Sequence, residues 1–157
     1  LILSWNIIVF FSCVYAKPKL FDERRKMYQI KFWERSGKFY VRVLKIKKWK
    51  DLLPQYSSKG GFSKKNLEST TEQYIEQFIL ETCRAEWAHT MGLFIFIPIL
   101  FLNDLSTGIA LTAAIFIVQL PFIFIQRYNR IRLKKFQSRI KRTAKKRDLC
   151  LNKIENY

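Results

Sequence analysis

The sequence predicts a mainly α-helical integral membrane protein with two to three transmembrane helices, including a helical hairpin. Three observations support this fold class. Apolar runs occupy residues 1–16, 91–102 and 105–125, and Asn103-Asp104 separates the last two. Lys and Arg are concentrated directly after the first and last of these runs. The segregation of charge from apolar residues indicates a membrane protein, whereas the 49% apolar fraction is ordinary.

Residues 1–16 form an uncharged apolar run. The run is shorter than the ~20 residues that a spanning helix needs. Because the chain begins without Met, we expect that its true start is missing or has been removed. An N-terminal membrane anchor is the preferred interpretation. A signal peptide that ends at Val14-Tyr15-Ala16 stays open, since a small residue there suits cleavage.

Residues 17–66 are strongly basic, with 16 Lys and Arg against 4 Asp and Glu. Within them, residues 39–46 are rich in β-branched and aromatic types, so a short β element is one option for this interfacial segment. An amphipathic segment that lies in the lipid headgroups is the other option. Its interfacial anchors would be Trp33, Phe39, Tyr40 and Trp49. Pro54 and residues 57–61 predict a loop.

A helical hairpin is predicted for the second half of the chain. Ser69-Thr70-Thr71-Glu72 fits a capping box, and apolar residues recur after it at helical spacing. This helix is expected to continue without a break into residues 91–102. After a two-residue turn at Asn103-Asp104, residues 105–125 carry no formal charge and are long enough to span about 30 Å.

Charge placement predicts the orientation and the partners. Basic residues near span ends favour the cytoplasmic face, so both basic blocks should be cytoplasmic in a multi-pass cell-membrane protein. Although a net charge of +17 is also typical of nucleic-acid binders, basic blocks beside apolar runs favour anionic membrane lipid. We therefore expect membrane lipid, and no nucleic acid, as a partner. The chain divides into an anchor (1–16), a basic interfacial or cytoplasmic segment (17–66), a helix with the transmembrane hairpin (67–125) and a basic cytoplasmic tail (126–157).

The candidate chemistry centres on His89, the single histidine. The sequence has no phosphate-binding loop, no G-x-S-x-G, no paired-Cys zinc pattern and no H-E-x-x-H, so no metal is expected. On a helix, Thr82, Glu86 and His89 share one stripe. A carboxylate one turn from an imidazole can fix its tautomer and raise its basicity, which suits proton abstraction from a hydroxyl.

A second polar motif, residues 126–132, is expected beside this stripe. Counting equal rises on either side of the turn places His89 level with about Gln119, and Glu81 level with about Arg127. The motif contributes three arginines that can bind phosphate or carboxylate bidentately. These are Arg127, Arg130 and Arg132.

Simpler interpretations of the same residues stay open. Glu86 and His89 could be an interfacial polar pair, the arginines could anchor lipid headgroups, and Trp49-Lys50-Asp51 could be ordinary interface residues. The corresponding alternative function is a non-enzymatic membrane scaffold or lipid-binding protein.

At these residues the sequence resembles the glycosyl-diaponeurosporenoate acyltransferase family of carotenoid biosynthesis. The likeness extends over roughly residues 30–135. It is carried by Glu34 with residues 37–40, by residues 46–54 and 61–65, by residues 81–86 with His89, and by residues 126–130 with Arg132-Leu133. The chain departs from the family pattern at Thr90, Gln119 and Ile131.

The resemblance implies an enzyme that esterifies a sugar hydroxyl of a glycosylated carotenoid acid with a fatty acyl group. The acyl group would come from a thioester co-substrate on a fatty acyl carrier, with no other cofactor, and the acceptor would be lipid-soluble. His89 would be the general base, and Glu86 would orient it. The implied substrate-binding residues are Arg84, Gln126, Arg127, Tyr128, Asn129, Arg130, Trp49 and Asp51.

Overall fold

The computed structural model describes residues 1–53 and 71–155, with side chains as far as residue 145. Within these ranges the protein is helical and has no β-strand. The helices are α1 (Ile2–Tyr15), α2 (Lys38–Arg42), α3 (Ile46–Trp49), α4 (Glu72–Leu93), α5 (Phe96–Leu102) and α6 (Leu105–Glu155). Three short 3-10 turns occupy Pro18–Phe21, Phe32–Gly37 and Lys50–Leu52. The mainly helical fold class is confirmed.

The predicted hairpin is present, with α4 and α5 antiparallel to α6. The two-residue turn at Asn103-Asp104 is confirmed, and the Asp104 carboxylate accepts a hydrogen bond of 2.9 Å from the backbone N–H of Thr107. This bond satisfies one of the open donors at the start of α6. α6 continues through Pro121 into the basic tail without interruption. The division of the chain into four parts stays a prediction.

The first arm of the hairpin is broken, contrary to the expectation of one continuous helix. α4 ends at Leu93 and α5 begins at Phe96. Pro98 has no N–H to donate to the carbonyl of Phe94, so that carbonyl accepts from the N–H of Ile97 at 3.2 Å instead. This bond joins residues three apart, as in a 3-10 helix, instead of four apart as in an α-helix. The α-helix is therefore interrupted between Leu93 and Phe96.

The basic segment is compact and helical, so the option of a short strand over residues 39–46 is wrong. These residues form α2, a turn and the start of α3. A single strand would leave its backbone groups unpaired, whereas here the N–H groups of Val43 and Leu44 both donate to the carbonyl of Phe39. Tyr40 and Ile46 are buried in a cluster with three side chains of α6. These are Ile125, Tyr128 and Ile131.

Burial also corrects the interpretation of Tyr40 as a headgroup anchor, because this ring is 0% exposed. The close approach of the segment to α6 depends on Gly37, which has a φ of 92°. A Cβ at this position would lie 3.2 Å from Cγ2 of Ile131. Glycine is therefore favoured both by its backbone conformation and by the lack of space. Two of the predicted elements, the loop at Pro54 to residue 61 and the capping-box residues 69–70, lie outside the described residues.

α1 packs antiparallel along α4. Trp5 Nε1 donates to the carbonyl of Met91 at 3.0 Å, and the thiol of Cys13 contacts the carbonyl of Arg84 at 3.7 Å. Cys13 also belongs to an apolar cluster with Phe21 and two further buried residues, Tyr28 and Cys83. These contacts hold the first 28 residues of the chain against α4. Whether α1 acts as an anchor or as a signal peptide stays a prediction.

Two helical stretches are long and apolar enough to cross a membrane, judged by length and composition. They are Glu72–Leu102, which joins α4 and α5, and Leu105–Lys145, within α6. In the most apolar 18-residue part of each stretch, only 22% of the first and 11% of the second is buried by the rest of the protein. The apolar surface of the hairpin therefore faces outward, unlike that of a helix in a soluble core.

Candidate active site

Four charged side chains are buried together where the basic segment, α4 and α6 meet. This buried charge cluster contains two carboxylates, Glu34 and Glu86, and two guanidinium groups, Arg127 and Arg130. Arg127 binds Glu34 through Nε and Nη2 at 2.9 and 3.0 Å and binds Glu86 through Nη1 at 2.6 Å. Arg130 Nη2 donates to the other Glu86 oxygen. The cluster is formally neutral, as buried charges require.

Arg127 uses all five of its N–H donors within the protein. Besides the two carboxylates, it donates to the backbone carbonyls of Met27 and Gln29, each at 3.0 Å. One side chain of α6 thereby fixes three parts of the structure: the chain around residues 27–29, Glu34 and α4. The predicted role of Arg127 in substrate binding stays a prediction, and its contacts show that it joins the basic segment to the hairpin.

Arg130 lies deeper than Arg127, with 1% of its surface exposed. Its Nε donates to the carbonyl of Tyr28 at 3.1 Å, and its guanidinium lies 5.5 Å from the centroid of the Tyr28 ring. Its Nη1 contacts the sulfur of Cys83 at 3.7 Å. Backbone, aromatic and carboxylate groups therefore compensate a charge that burial alone would destabilise.

Glu34 is the best-bonded carboxylate of the cluster. Besides Arg127, the Tyr40 hydroxyl donates to it at 2.5 Å, and the backbone N–H of Lys31 donates to its other oxygen. Burial alone would raise the pKa of the Glu34 carboxyl, but these hydrogen bonds outweigh it and hold the pKa below its usual range. Burial and the Glu34 carboxylate together raise the pKa of Tyr40. Glu34 is thus ionised and Tyr40 is protonated.

Glu34 was not among the predicted site residues, although it is one of the residues that carry the family resemblance. Glu34 and Arg127 are 93 residues apart in the chain. Neither hydrophobic periodicity nor the spacing of a motif can predict a contact between such distant residues. The sequence also contains a local signal: Glu34 is the single acidic residue between Glu23 and Asp51, in a stretch dense with Lys and Arg. An isolated carboxylate among cations is a candidate for a specific buried ion pair.

The imidazole of His89 is oriented by α6. Its Nδ1 lies 2.8 Å from Oε1 of Gln119, and its ring stacks on Phe122 with a centroid distance of 4.7 Å and an interplanar angle of 9°. The expected register between His89 and Gln119 is confirmed. With the amide oxygen of Gln119 towards Nδ1, the contact fits the neutral tautomer that has its proton on Nδ1 and its lone pair on Nε2.

Gly92 provides the space for the Gln119 amide. A Cβ at Gly92 would lie 2.5 Å from Nε2 of Gln119, which is closer than van der Waals contact allows. The side chain that orients His89 therefore depends on the absence of a side chain one turn further along α4. The second part of the site is thus the contact between the His89 imidazole and the Gln119 amide, which lies between the two arms of the hairpin and for which Gly92 leaves room.

The convergence of α4 and α6 that the sequence predicts is present, but the bonding pattern differs from a simple Glu–His pair. The Glu86 oxygens bind the two arginines, and the group bonded to Nδ1 of His89 is Gln119. Thr90, one of the positions that depart from the family pattern, donates its hydroxyl to the Glu86 carbonyl at 2.7 Å. The proposed orientation of His89 by Glu86 stays a prediction.

The remaining candidate residues lie around the cluster. Arg84 binds Glu81 at 2.8 Å and lies over the ring of Phe21, and its Nε is buried with no partner in the described parts of the chain. The Oε1 of buried Gln126 likewise has no partner there. Their roles in substrate binding stay predictions, as does that of the half-buried Asn129.

Three other candidates lie in the apolar cluster around Tyr40 or at the surface groove beside it. Trp49 donates its Nε1 to the carbonyl of Leu44 at 2.8 Å and packs on that cluster. Tyr128 is buried within it, and Asp51 is exposed and pairs with Lys50 at 2.7 Å. The structure therefore gives Trp49 a packing contact and places Asp51 and Tyr128 at a surface groove, away from His89.

The fold and the site define the class of protein: a helical protein with two membrane-length apolar helices and an oriented imidazole beside a buried charge cluster. A family model described as glycosyl-4,4'-diaponeurosporenoate acyltransferase matches residues 24–139, most of the chain. The chain belongs to this family and is an acyltransferase. The resemblance predicted from the sequence motifs is confirmed.

Curated relatives have the same description. A glycosyl-4,4'-diaponeurosporenoate acyltransferase of Staphylococcus haemolyticus (strain JCSC1435) is 31% identical over 140 residues, which cover 84% of this chain and 80% of the relative. One from Staphylococcus aureus (strain N315) is 26% identical over 134 residues, covering 83% and 79%. No solved structure matches the chain.

Proposed function

We propose that this acyltransferase works within a membrane and transfers a fatty acyl group to a sugar hydroxyl of a glycosylated carotenoid acid or a similar glycolipid. The names of the relatives support this class of acceptor. Membership of an acyltransferase family argues against the alternative of a non-enzymatic scaffold. The oriented imidazole of His89 between the arms of the hairpin is the structural observation that carries the proposal.

The outward apolar surface of the hairpin supports a location in the bilayer. Large apolar side chains near the turn and along α6 are strongly exposed: Phe101, Leu102, Leu105, Ile109, Ile117 and Val118. An apolar surface of this extent requires a cover of lipid or protein, and the helix lengths match a bilayer. The basic segment and the basic part of α6 would then be cytoplasmic by the positive-inside rule.

The packing of α1 supports a third membrane element. α1 runs antiparallel to α4 and exposes most of its apolar side chains. In a bilayer, its first residues would lie on the same side as the Asn103-Asp104 turn, which is the outer side in this orientation. A retained anchor that packs on the catalytic helix explains these contacts, whereas a cleaved signal peptide has no need of them.

In the proposed reaction, Nε2 of His89 removes the proton of the sugar hydroxyl as the oxygen attacks the carbonyl carbon of an acyl thioester. A new C–O bond forms, the C–S bond breaks, and the departing thiolate takes the proton from the imidazolium. The products are an ester and a thiol, and the histidine returns to its neutral state. Gln119 would hold the ring in the required tautomer throughout.

The buried charge cluster would position this histidine. Arg127 and Arg130 hold Glu86, which precedes His89 by about one turn of α4. The cluster thereby sets the depth and rotation of α4 relative to α6, on which the Gln119 contact depends. A small misplacement of a catalytic group can cost about two orders of magnitude in rate, so the cluster would support activity through geometry.

Product analysis tests the proposed function. Membranes that contain the full-length enzyme are incubated with a glycosylated carotenoid acid and a labelled fatty acyl thioester, and the extract is analysed by mass spectrometry. We expect a labelled ester on the sugar that is absent from membranes without the enzyme. Equal amounts of ester in both membranes, or a labelled product without a sugar, would contradict the proposal.

Gly92→Ala tests the role of the Gln119 amide. The new Cβ would displace the far end of a flexible side chain, so we expect little change in the unfolding midpoint. Because His89 would lose its partner at Nδ1, kcat should fall by about ten- to hundredfold.

The matched control for this variant is Gly108→Ala in α6. A Cβ at Gly108 would meet Leu100 atoms at 3.4 Å, which is ordinary contact, so kcat should stay near the wild-type value. Equal kcat for Gly92→Ala and wild type would show that the Gln119 contact does not contribute to the reaction.

A further inference from the structure

A basic groove lies on the surface between α2, α3 and α6. It has a volume of about 550 Å³, within the range of small-molecule sites. Among the described residues of its lining, Asp51 is the single carboxylate. The cationic side chains that line it are Lys38, Arg42, Lys47, Lys50, Arg132 and Lys135. The groove is therefore a concave surface with a strong excess of positive charge.

Contacts within the protein compensate little of this charge. Asp51 pairs with Lys50, and Lys135 donates to the backbone carbonyl of Ser36 at 2.7 Å. In the part of the chain whose side chains are described, no carboxylate forms an ion pair with the other groove cations, which are Lys38, Arg42, Lys47 and Arg132. A concave basic surface of this kind attracts anions.

The groove lies at the depth of the lipid headgroups when α6 spans the bilayer as proposed. The uncharged run of α6 ends at Ile125, and Tyr128 follows after a rise of about 5 Å. Helical side chains tilt back towards the helix N-terminus, and the Arg132 guanidinium lies 5.7 Å from the centroid of the Tyr128 ring. Because the headgroup layer on each side of the hydrocarbon is about 5–8 Å thick, this cation lies at the level of the lipid phosphates.

An exposed apolar stripe of α6 leads from the groove into the hydrocarbon. Its residues precede Tyr128 by nearly whole numbers of helical turns, so they lie on the same face as the groove. The rise along the stripe is about 16 Å, close to the depth of one hydrocarbon leaflet. Ile117 in its middle is 72% exposed. The residues of the stripe are Ala110, Ala114, Ile117 and Pro121.

This face of α6 is opposite the proposed active site. Gln119 precedes Tyr128 by nine residues, which is about two and a half turns, so the two side chains point to opposite sides of the helix. Gln119 contacts His89 on α4, whereas Tyr128 lines the groove. A ligand of the groove and the stripe is therefore separate from the reacting groups.

We propose that the groove and the stripe together bind an anionic phospholipid, an inference that rests on the proposed location in a membrane. The lipid phosphate contacts the groove cations, and an acyl chain lies along the stripe. A soluble anion gains nothing from the stripe, and a zwitterionic headgroup brings a cation of its own to a basic surface. The bound lipid joins α3 to α6, because Lys47 and Arg132 contact its phosphate from these two helices.

Native mass spectrometry tests the proposal independently of turnover. The full-length enzyme is placed in nanodiscs of equal parts phosphatidylcholine and phosphatidylglycerol, and the lipids that it retains on release are counted. We expect phosphatidylglycerol to be enriched by about tenfold or more over its bulk share. Lys47→Glu and Arg132→Glu should each lower this enrichment by about fivefold or more, since one cation near an anionic lipid contributes about 1 kcal/mol.

Matched controls carry the same charge reversal outside the groove. Lys48→Glu changes the residue next to Lys47 on α3, and Arg142→Glu changes an exposed residue of α6. Neither lines the groove, so each should change the enrichment by less than about twofold. Because Lys47 and Arg132 are exposed, the groove variants should keep the wild-type unfolding midpoint in phosphatidylcholine. Equal enrichment in groove and control variants would overturn the proposal.

Two further results are decisive without any variant. Wild-type enzyme that retains the two lipids in their bulk ratio would exclude a specific lipid site. Displacement of the retained phosphatidylglycerol by inorganic phosphate or glycerol 3-phosphate would assign the groove to a soluble anion and would also overturn the proposal.

The same preparations separate this inference from the proposed reaction. Enrichment of phosphatidylglycerol on a wild-type enzyme that forms no ester would support the lipid site and contradict the proposed function. Ester formation by an enzyme that shows no enrichment would support the reaction and contradict the lipid site.

Discussion

His89→Ala is expected to lower acyl transfer by about 10²- to 10⁴-fold, the range that general base catalysis contributes. The imidazole is half-buried, and its contacts include a side-chain bond to Gln119 and a stack on Phe122; because the ring is not part of the buried core, the fold should persist. The measurement is initial-rate kinetics with a labelled acyl thioester, together with the unfolding midpoint. The loss should appear in kcat, because the base acts in the chemical step.

Chemical rescue separates a base from a packing residue. Added imidazole should restore part of the activity of His89→Ala, because the cavity left by the side chain can hold a free ring. The control is His89→Phe, which keeps a ring to stack on Phe122 but has no base; it should be inactive and should not respond to imidazole. Wild-type kcat in either variant would exclude His89 as the base.

Glu34→Ala is expected to lower the free energy of unfolding by about 3–5 kcal/mol, because it leaves the buried Arg127 without its bidentate partner. The hydroxyl of Tyr40 would also lose its acceptor. The measurement is denaturant unfolding in mixed micelles, followed by tryptophan fluorescence. The expected effect is large because Glu34 is 0% exposed, so water cannot replace the carboxylate.

Two controls test whether the effect comes from an unpaired buried charge. Glu23→Ala removes the partner of Lys134, a half-buried pair between the same two parts of the protein in which water still reaches the lysine, and should cost much less than Glu34→Ala, about 1 kcal/mol. The double variant Glu34→Met/Arg127→Met removes both charges and leaves Glu86 paired with Arg130, so it should be more stable than Glu34→Ala. Similar losses for Glu34→Ala and Glu23→Ala would show that the cluster does not stabilise the fold.

The hairpin was predictable from the sequence because it depends on local patterns. Uncharged runs, a polar pair at positions 103–104 and helical spacing fix the helices and the turn between them. A helical rise is constant, so counting from the turn also predicted that His89 faces Gln119, as the 2.8 Å contact confirms. The break before α5 was missed, although Pro98 signals it, because a proline can be accommodated within some apolar helices.

The basic segment was not predictable in the same way. Its aromatic and β-branched residues suit a strand in isolation, yet Tyr40 and Ile46 are buried against α6 in helical turns. Contacts with residues more than 80 positions away decide this conformation. Glu34 was overlooked for the same reason, since a carboxylate in a basic segment acquires its role only when Arg127 is brought to it.

The sequence by itself determined the helical class, the hairpin, its register and the family, because each depends on residues close together in the chain or on motifs that can be read in order. Tertiary structure alone decided which charges are buried and what binds them. A buried charge requires a partner of opposite sign within a few ångströms. In this protein Glu34 and Glu86 converge on Arg127 from separate parts of the chain, and only the folded chain brings them together.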